Sequence, residues 1–271
     1  MSTHQEQQAQ QDKRIEENLD RIQHRIVVFS GKGGVGKSTV AVNLAYAMQS
    51  RGQKIGLMDA DITGPNVPQM TGLKGSPKVH DDGKRFFPQE KDGLQIVSMA
   101  SMMPPDAALI WRGPLRSTVI TQFLGDVIWG KLDHLLADLP PGTGDEVLTA
   151  AQRMKPQTAV VVTTPQDVSL ADCRRAVTMA KKLEIPRIAI VENMSGLICP
   201  HCDKVIDIFD NGGGERLANE TGATFLGRVP MEVETRIGGD TGKPAVLHRP
   251  ESATAKAFDD IATQLASLIK S

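Results

Sequence analysis

Residues Gly31 to Thr39 read GKGGVGKST and match the pattern G-x-x-x-x-G-K-[ST] through Gly31, Gly36, Lys37 and Ser38. Glycines let successive backbone N–H groups turn inward around an anion, and a helix that starts at the end of the loop adds the positive end of its dipole. The run Gly31, Lys32, Gly33, Gly34, Val35, Gly36, Lys37, Ser38 and Thr39 is therefore expected to cradle the phosphates of a nucleotide. Lys37 is expected to reach the β- and γ-phosphates, and the Ser38 hydroxyl to ligate Mg2+. An ordinary glycine turn would not require the strand and helix predicted on either side of this one.

Three carboxylates stand where they can serve the terminal phosphate. Asp59 and Asp61 lie in MDADITGPN, at the end of an apolar run, and the carboxyl ends of parallel strands border the ligand crevice of such sheets. Asp61 is assigned to orienting a water in line with the γ-phosphate, and Asp59 to the Mg2+ network. The competing reading makes both of them loop carboxylates that cap a turn. Asp138 ends the run HLLAD and precedes LPPGTGD, the place of a Walker B aspartate that holds Mg2+ through water. Pro140 to Gly144 form a stiff, turn-prone segment that resembles a switch loop sensing the γ-phosphate, and Asp145 behind it reads as a solvated turn residue.

The chain has three cysteines, too few and too clustered for a disulfide framework at this length. Cys199 and Cys202 fall in CPHC. Thiolates are soft donors that suit iron-sulfur clusters or zinc, and either normally takes four ligands. One chain supplies two, and two copies about a two-fold axis would supply four. A structural zinc site at the same place and a thiol-disulfide centre are the other readings; the latter needs its first cysteine at a helix N-terminus. Cys173, with Leu170 three residues before it and Val177 four after, reads as a small core residue of a helix.

These groups need elements to hold them. Arg25 to Ser30 reads as a buried strand ahead of the glycine loop, and Ser38 to Ser50 as the helix after it. Further strands are expected at 54–59, 94–99, 134–138, 159–163, 187–192 and 224–229. Helices are expected at about 115–125, 169–183, 214–221 and 252–269, with another ahead of 159, and a hairpin or surface insertion at 72–93. Strands alternating with helices indicate an α/β fold with a mainly parallel sheet flanked by helices on both faces. Ile15, Leu19 and Ile22 suggest a short amphipathic helix in an otherwise polar, flexible segment 1–24, of which the first ten or so residues read as disordered. The domain proper is expected over 25–271, with the cysteine segment at about 193–212.

Composition agrees. Aromatic residues make up 4% of the chain, so aliphatic side chains must fill the core, as in sheets covered on both faces. A net charge of -1 and no basic tract exclude a dedicated nucleic-acid binder. No apolar span long enough for a bilayer and no signal peptide are present, so a cytoplasmic protein without membrane contact is expected.

Lys32 places a second lysine inside the loop, and GKGGVGKS resembles the deviant Walker A motif of the MinD, ParA and nitrogenase iron-protein group. That resemblance implies a P-loop NTPase (SIMIBI-type) fold, ATP as the nucleotide, and a homodimer in which Lys32 contacts nucleotide across the interface. SGKGGVGKS, DADITGPN, DLPPGTGD, ENMSGLICPHC and GGGERLA together resemble the Mrp family (ApbC-like) of ATP-binding iron-sulfur cluster carriers. It implies slow ATP hydrolysis, a 4Fe-4S cluster bridged between subunits by Cys199 and Cys202, delivery to apo iron-sulfur proteins, and contact of Asn193 with adenine. A ParA/MinD-type dimerisation switch with structural zinc is the alternative. Asn66 stands where Ser is frequent in that family, and Asp203 and Asp210 where Gly is common. The sequence also lacks the extra N-terminal cysteine motif of the eukaryotic branch and the added N-terminal domain of longer bacterial members, so a short form is expected.

Overall fold

The computed structural model describes residues 3–102, 113–202 and 204–271. Asp203 and the first two residues of the N-terminal stretch lie outside the described residues. In chain order the elements begin with α1 (Thr3–Leu19), β1 (Ile22–Ser30), α2 (Lys37–Gln49), β2 (Ile55–Asp59) and α3 (Val67–Thr71). There follow β3 (Gln89–Lys91), β4 (Leu94–Ser98), α4 (Gly113–Gly125), β5 (Leu132–Asp138), α5 (Asp145–Met154) and β6 (Thr158–Thr163). The remainder comprises α6 (Asp167–Lys182), β7 (Arg187–Ile198), β8 (Val205–Ile206), α7 (Gly213–Thr221), β9 (Thr224–Met231), α8 (Val233–Thr241), α9 (Ala245–His248) and α10 (Ala253–Lys270).

Seven strands pair in parallel in the order β4–β2–β5–β1–β6–β7–β9. β3 adds antiparallel outside β4, and β8 pairs antiparallel with the far end of β7. Two apolar clusters cover the two faces of the sheet. Helix α2 is buried nearly all round, from Val40 to Met48, because it lies between the sheet and α10; its Ala-, Val- and Leu-rich sequence has no polar face to present to water. No helix among the described residues is long and apolar enough to cross a membrane.

Two expectations are corrected. The N-terminal helix is not a short lead-in: it runs from Thr3 to Leu19, and Ile22 belongs to β1. Its apolar content is small, but Ile15 and Leu19 enter the core, and the Asn18 amide donates to the carbonyls of Leu124, Gly125 and Val127 at 2.8, 3.2 and 2.9 Å. Those carbonyls at the end of α4 have no helical partner of their own, which is why a polar side chain secures a polar helix there. The second correction is β7, expected to stop at Glu192 and extending to Ile198. The strand is irregular over Asn-Met-Ser-Gly: Met194 has φ 58°, Gly196 has φ 79°, and the register with β9 shifts before Leu197 pairs with Met231. Helices α3, α8 and α9 carry short apolar patterns that periodicity does not single out. Asp210, standing where Gly is common in related sequences, has φ 70° in the left-handed region that Gly occupies most easily.

Candidate functional site

The glycine loop joins β1 to α2 at the carboxyl edge of the sheet, as expected. Gly36 precedes α2 with φ 78°, and a Cβ there would lie 2.2 Å from the Asn193 amide nitrogen. Only glycine satisfies both conditions. Gly31 is packed against the backbone of Asp172 in α6, and the Ser30 hydroxyl donates to the Lys32 carbonyl at 2.8 Å. Gly33 and Gly34 are exposed, while Val35 is buried beneath the loop. Lys32 is half-buried, and its amine makes no ion pair among the described residues. The switch segment lies beside the loop: the Gly142 amide donates to the Ser30 carbonyl at 2.8 Å, and Pro141 faces Gly33.

Lys37 is buried and gathers the predicted carboxylates around it. Its Nζ is 2.6 Å from Asp138 Oδ1, 3.6 Å from Asp61 Oδ2 and 3.2 Å from Ser38 Oγ. Asp138 and Asp59 are paired in register at the ends of β5 and β2. Asp59 accepts from the Ser98 hydroxyl at 2.9 Å and from the amides of Asp61 and Val67 at 3.3 and 3.4 Å. Asp61 accepts from the Gly64 amide at 3.3 Å. Both carboxylates thus do cap their loop, and Asp61 also faces Lys37. Burial, reinforced by the neighbouring Asp138 charge, raises the pKa of Asp59; burial likewise raises that of Asp138, against the pull of Lys37. Asp138 Oδ2 is buried without a hydrogen-bond partner. Oxygen donors suit Mg2+, and an orphaned carboxylate oxygen close to Ser38 in a cluster with one lysine fits a hydrated Mg2+.

Beyond Thr39 a cleft of about 430 Å3 opens, lined among others by Met70, Asn193, Met194, Leu197, Val229 and Met231. Its walls are mostly apolar, suited to the faces of an aromatic base. Asn193 is buried at its inner end, and its amide donates to the Val35 carbonyl at 2.9 Å, so it braces the phosphate loop as well as facing the cleft.

Cys199 and Cys202 lie on the tip of a hairpin. Leu197 and Ile198 pair with Ile206 and Val205, and the Cys199 amide closes the turn on the Lys204 carbonyl at 3.0 Å. Cys202 is exposed and Cys199 half-buried. No helix begins at Cys199, so the helix N-terminus that the thiol-disulfide reading called for is not there. Among the described residues no three or more His, Cys, Asp or Glu side chains form a metal-ligand group. Cys173 is a core thiol, pushed up to about 12 by burial. Asp145 is not a turn residue but the exposed first residue of α5, where its charge suits the helix N-terminus.

Sequence reasoning missed Ser98, which holds Asp59, and Glu192, fully buried beside the cysteine segment. Ser98 ends a strand that was expected, yet nothing local says that β4 neighbours β2. Glu192 is a charged residue ending an apolar run, the same signal that pointed to Asp138. The cleft wall from β9 and α8 has no motif.

A parallel sheet with a phosphate loop between β1 and α2, and with Lys37 facing strand-end aspartates, defines a P-loop nucleotide-binding protein. The chain belongs to the ParA group described as NUBPL iron-transfer P-loop NTPases, whose family model matches residues 21–266. It is 51% identical over 241 residues to the iron-sulfur cluster carrier protein of Methanocaldococcus jannaschii, covering 88% of this chain and 83% of that one. To the iron-sulfur cluster carrier protein of Pyrococcus horikoshii it is 47% identical over 269 residues, covering 96% and 91%. Among solved structures it is similar to a nucleotide-binding protein of Archaeoglobus fulgidus in complex with ADP, with a TM-score of 0.78, 38% identity and coverage of 91% and 96%. The cell division ATPase MinD of Pyrococcus furiosus superposes with a TM-score of 0.66 at 26% identity, covering 91% and 99%.

Proposed function

We propose that this chain is an ATP-hydrolysing iron-sulfur cluster carrier, working as a homodimer in the cytoplasm and passing its cluster to apo iron-sulfur proteins. The observation that carries the reading is the exposed CPHC turn at the end of β7, the strand whose Asn193, Met194 and Leu197 wall the cleft beside the phosphate loop. Two thiols at the turn and no group of three or more ligand side chains among the described residues favour a site shared between two copies, with four thiolates around one 4Fe-4S cluster. The carrier names of relatives at 47–51% identity support the same cargo.

In this reading the phosphates of ATP lie in the loop from Gly31 through Gly36, with Ser38 and Thr39 at the helix start, and the base lies in the cleft with Asn193 at its edge. Lys37, now on Asp138, turns to the β- and γ-phosphates, whose greater negative charge outcompetes a single carboxylate. Ser38 and Asp138 would hold Mg2+, with Asp59 buttressing the network; the ion would neutralise charge on the phosphate oxygens. Asp61 orients the attacking water, and Lys32 reaches the nucleotide of the partner subunit. The charge of Lys37 and the loop amides is fixed before reaction, so hydrolysis rests on positioning and electrostatics.

The test is anaerobic reconstitution with iron and sulfide for the wild type and Cys199→Ala/Cys202→Ala. About four irons and four sulfides per dimer in the wild type, with none in the double variant, is the expected result. A protein that holds only zinc, or equal iron in both variants, would leave a nucleotide-driven dimerisation switch instead.

A further inference from the structure

Glu192 has no solvent exposure and lies where β7 leaves its pairing with β6. Its carboxylate is occupied from three directions. Oε1 accepts from the Ser195 hydroxyl at 2.6 Å and from the Gly212 amide at 3.0 Å; Oε2 accepts from the Gly214 amide at 2.5 Å. Arg228 of β9 supplies the counter-charge, its Nε 3.4 Å from Oε1, and is itself paired with Glu215. The backbone is drawn hard against this side chain: a Cβ on Gly214 would lie 2.9 Å from that of Glu192.

The positions of these donors along the chain matter. Ser195 is where the chain sets out on the excursion that carries Cys199 and Cys202, and Gly212 and Gly214 are where it returns and α7 begins. One buried carboxylate therefore ties both ends of residues 196–211 together. The next residue, Asn193, points the other way and ties the strand to the phosphate loop through Val35. Holding the ends of a long loop removes conformational freedom that would otherwise be lost when two thiolates take up a common ligand.

We infer that Glu192 is the positioning residue of the cysteine pair, fixing the hairpin so that both thiols present together to a thiophilic metal. The inference rests on the reading that Cys199 and Cys202 are metal ligands. Partners that orient ligands from behind typically contribute about 10–100-fold in metal affinity. Glu192→Gln keeps the shape but turns an N–H2 toward donors that need an acceptor, so it loosens the clamp without opening a cavity.

The experiment is anaerobic titration with Co2+ alone, reading the thiolate-to-cobalt charge-transfer band, with ATP affinity measured on the same samples. Compared are the wild type, Cys199→Ala/Cys202→Ala, Glu192→Gln and Ser195→Ala, the last releasing only the cysteine side of the clamp. Glu192→Gln is expected to weaken Co2+ binding by about 10–100-fold, with ATP affinity within about three-fold of the wild type. Ser195→Ala is expected to weaken it in the same direction by less, and decides the matter if Glu192→Gln fails to fold. A cysteine-dependent band of unchanged affinity in the folded variants overturns the role of Glu192 and leaves the ligand reading standing. A wild type with no cysteine-dependent band overturns the ligand reading, and this inference with it.

Discussion

Gly31→Ala tests whether the phosphate loop is held by its packing against α6. A Cβ at Gly31 would lie 2.2 Å from the carbonyl carbon and 2.3 Å from the carbonyl oxygen of Asp172. Carbon atoms settle at about 3.5–4.0 Å, so loop and helix must part by more than about 1 Å. Helix α6 cannot yield, because Cys173, Ala176, Val177 and Ala180 anchor it in the core. The loop must move instead. Overpacking of this kind costs about 1–3 kcal/mol, and a displacement of about 1 Å in a positioning element costs about 100-fold in function. ATP affinity, measured by titration with a fluorescent analogue, is therefore expected to fall about 100-fold, with a loss of about 1–3 kcal/mol in urea unfolding. Gly52→Ala is the control. Gly52 has φ 81° with nothing within 4 Å of its Cβ position, so substitution there strains the backbone by about 1–2 kcal/mol and leaves ATP binding unchanged. If Gly31→Ala binds ATP within about three-fold of the wild type, the loop is not held by α6 and the reasoning fails.

Lys37→Ala should abolish ATP binding, retain part of the cysteine-dependent iron, and destabilise the nucleotide-free protein by about 3–5 kcal/mol through the unpaired Asp138. Because burial raises the pKa of Asp138, protonation relieves that loss, so the destabilisation should be smaller at pH 5 than at pH 8; urea midpoints at both values that show no shrinkage would contradict it. Asn193→Ala removes the hydrogen bond to the Val35 carbonyl and should weaken ATP binding about 5–10-fold by calorimetry, and an unchanged affinity would make that bond incidental. His24 is buried against Thr158, and burial, with the neighbouring His134 second, lowers its pKa from 6.5 to about 4. The folded state prefers neutral His24, so its stabilising effect is complete above pH 6.5 and is lost progressively from there down to about pH 4. The shift amounts to about 3 kcal/mol. His24→Gln should flatten the pH dependence of the urea midpoint over that window, and superimposable profiles would sink the assignment.

The phosphate loop was legible because its function resides in consecutive residues: glycines, lysine and serine act through a local turn between a strand and a helix. The closeness of the two thiols of CPHC, which share one hairpin tip, was legible for the same reason, as was the parallel sheet in the alternation of apolar runs. Asp61 and Asp138 could be chosen as residue types at strand ends, but their meeting at Lys37 could not be read. It depends on β2 lying beside β5 and β5 beside β1, an order set by packing both faces of the sheet rather than by neighbouring residues. Ser98 holds Asp59 for that reason alone. The N-terminal helix shows the same division. Its Gln-rich sequence has little apolar surface, and Ile15 and Leu19 in the core together with the carbonyls at the end of α4, offered to Asn18, give it a place. Glu192 marks the limit most clearly. A glutamate at the end of an apolar run has no fixed role until the chain folds back and sets Gly212 and Gly214 around it beside Ser195, because a buried carboxylate is stable only where donors converge on it.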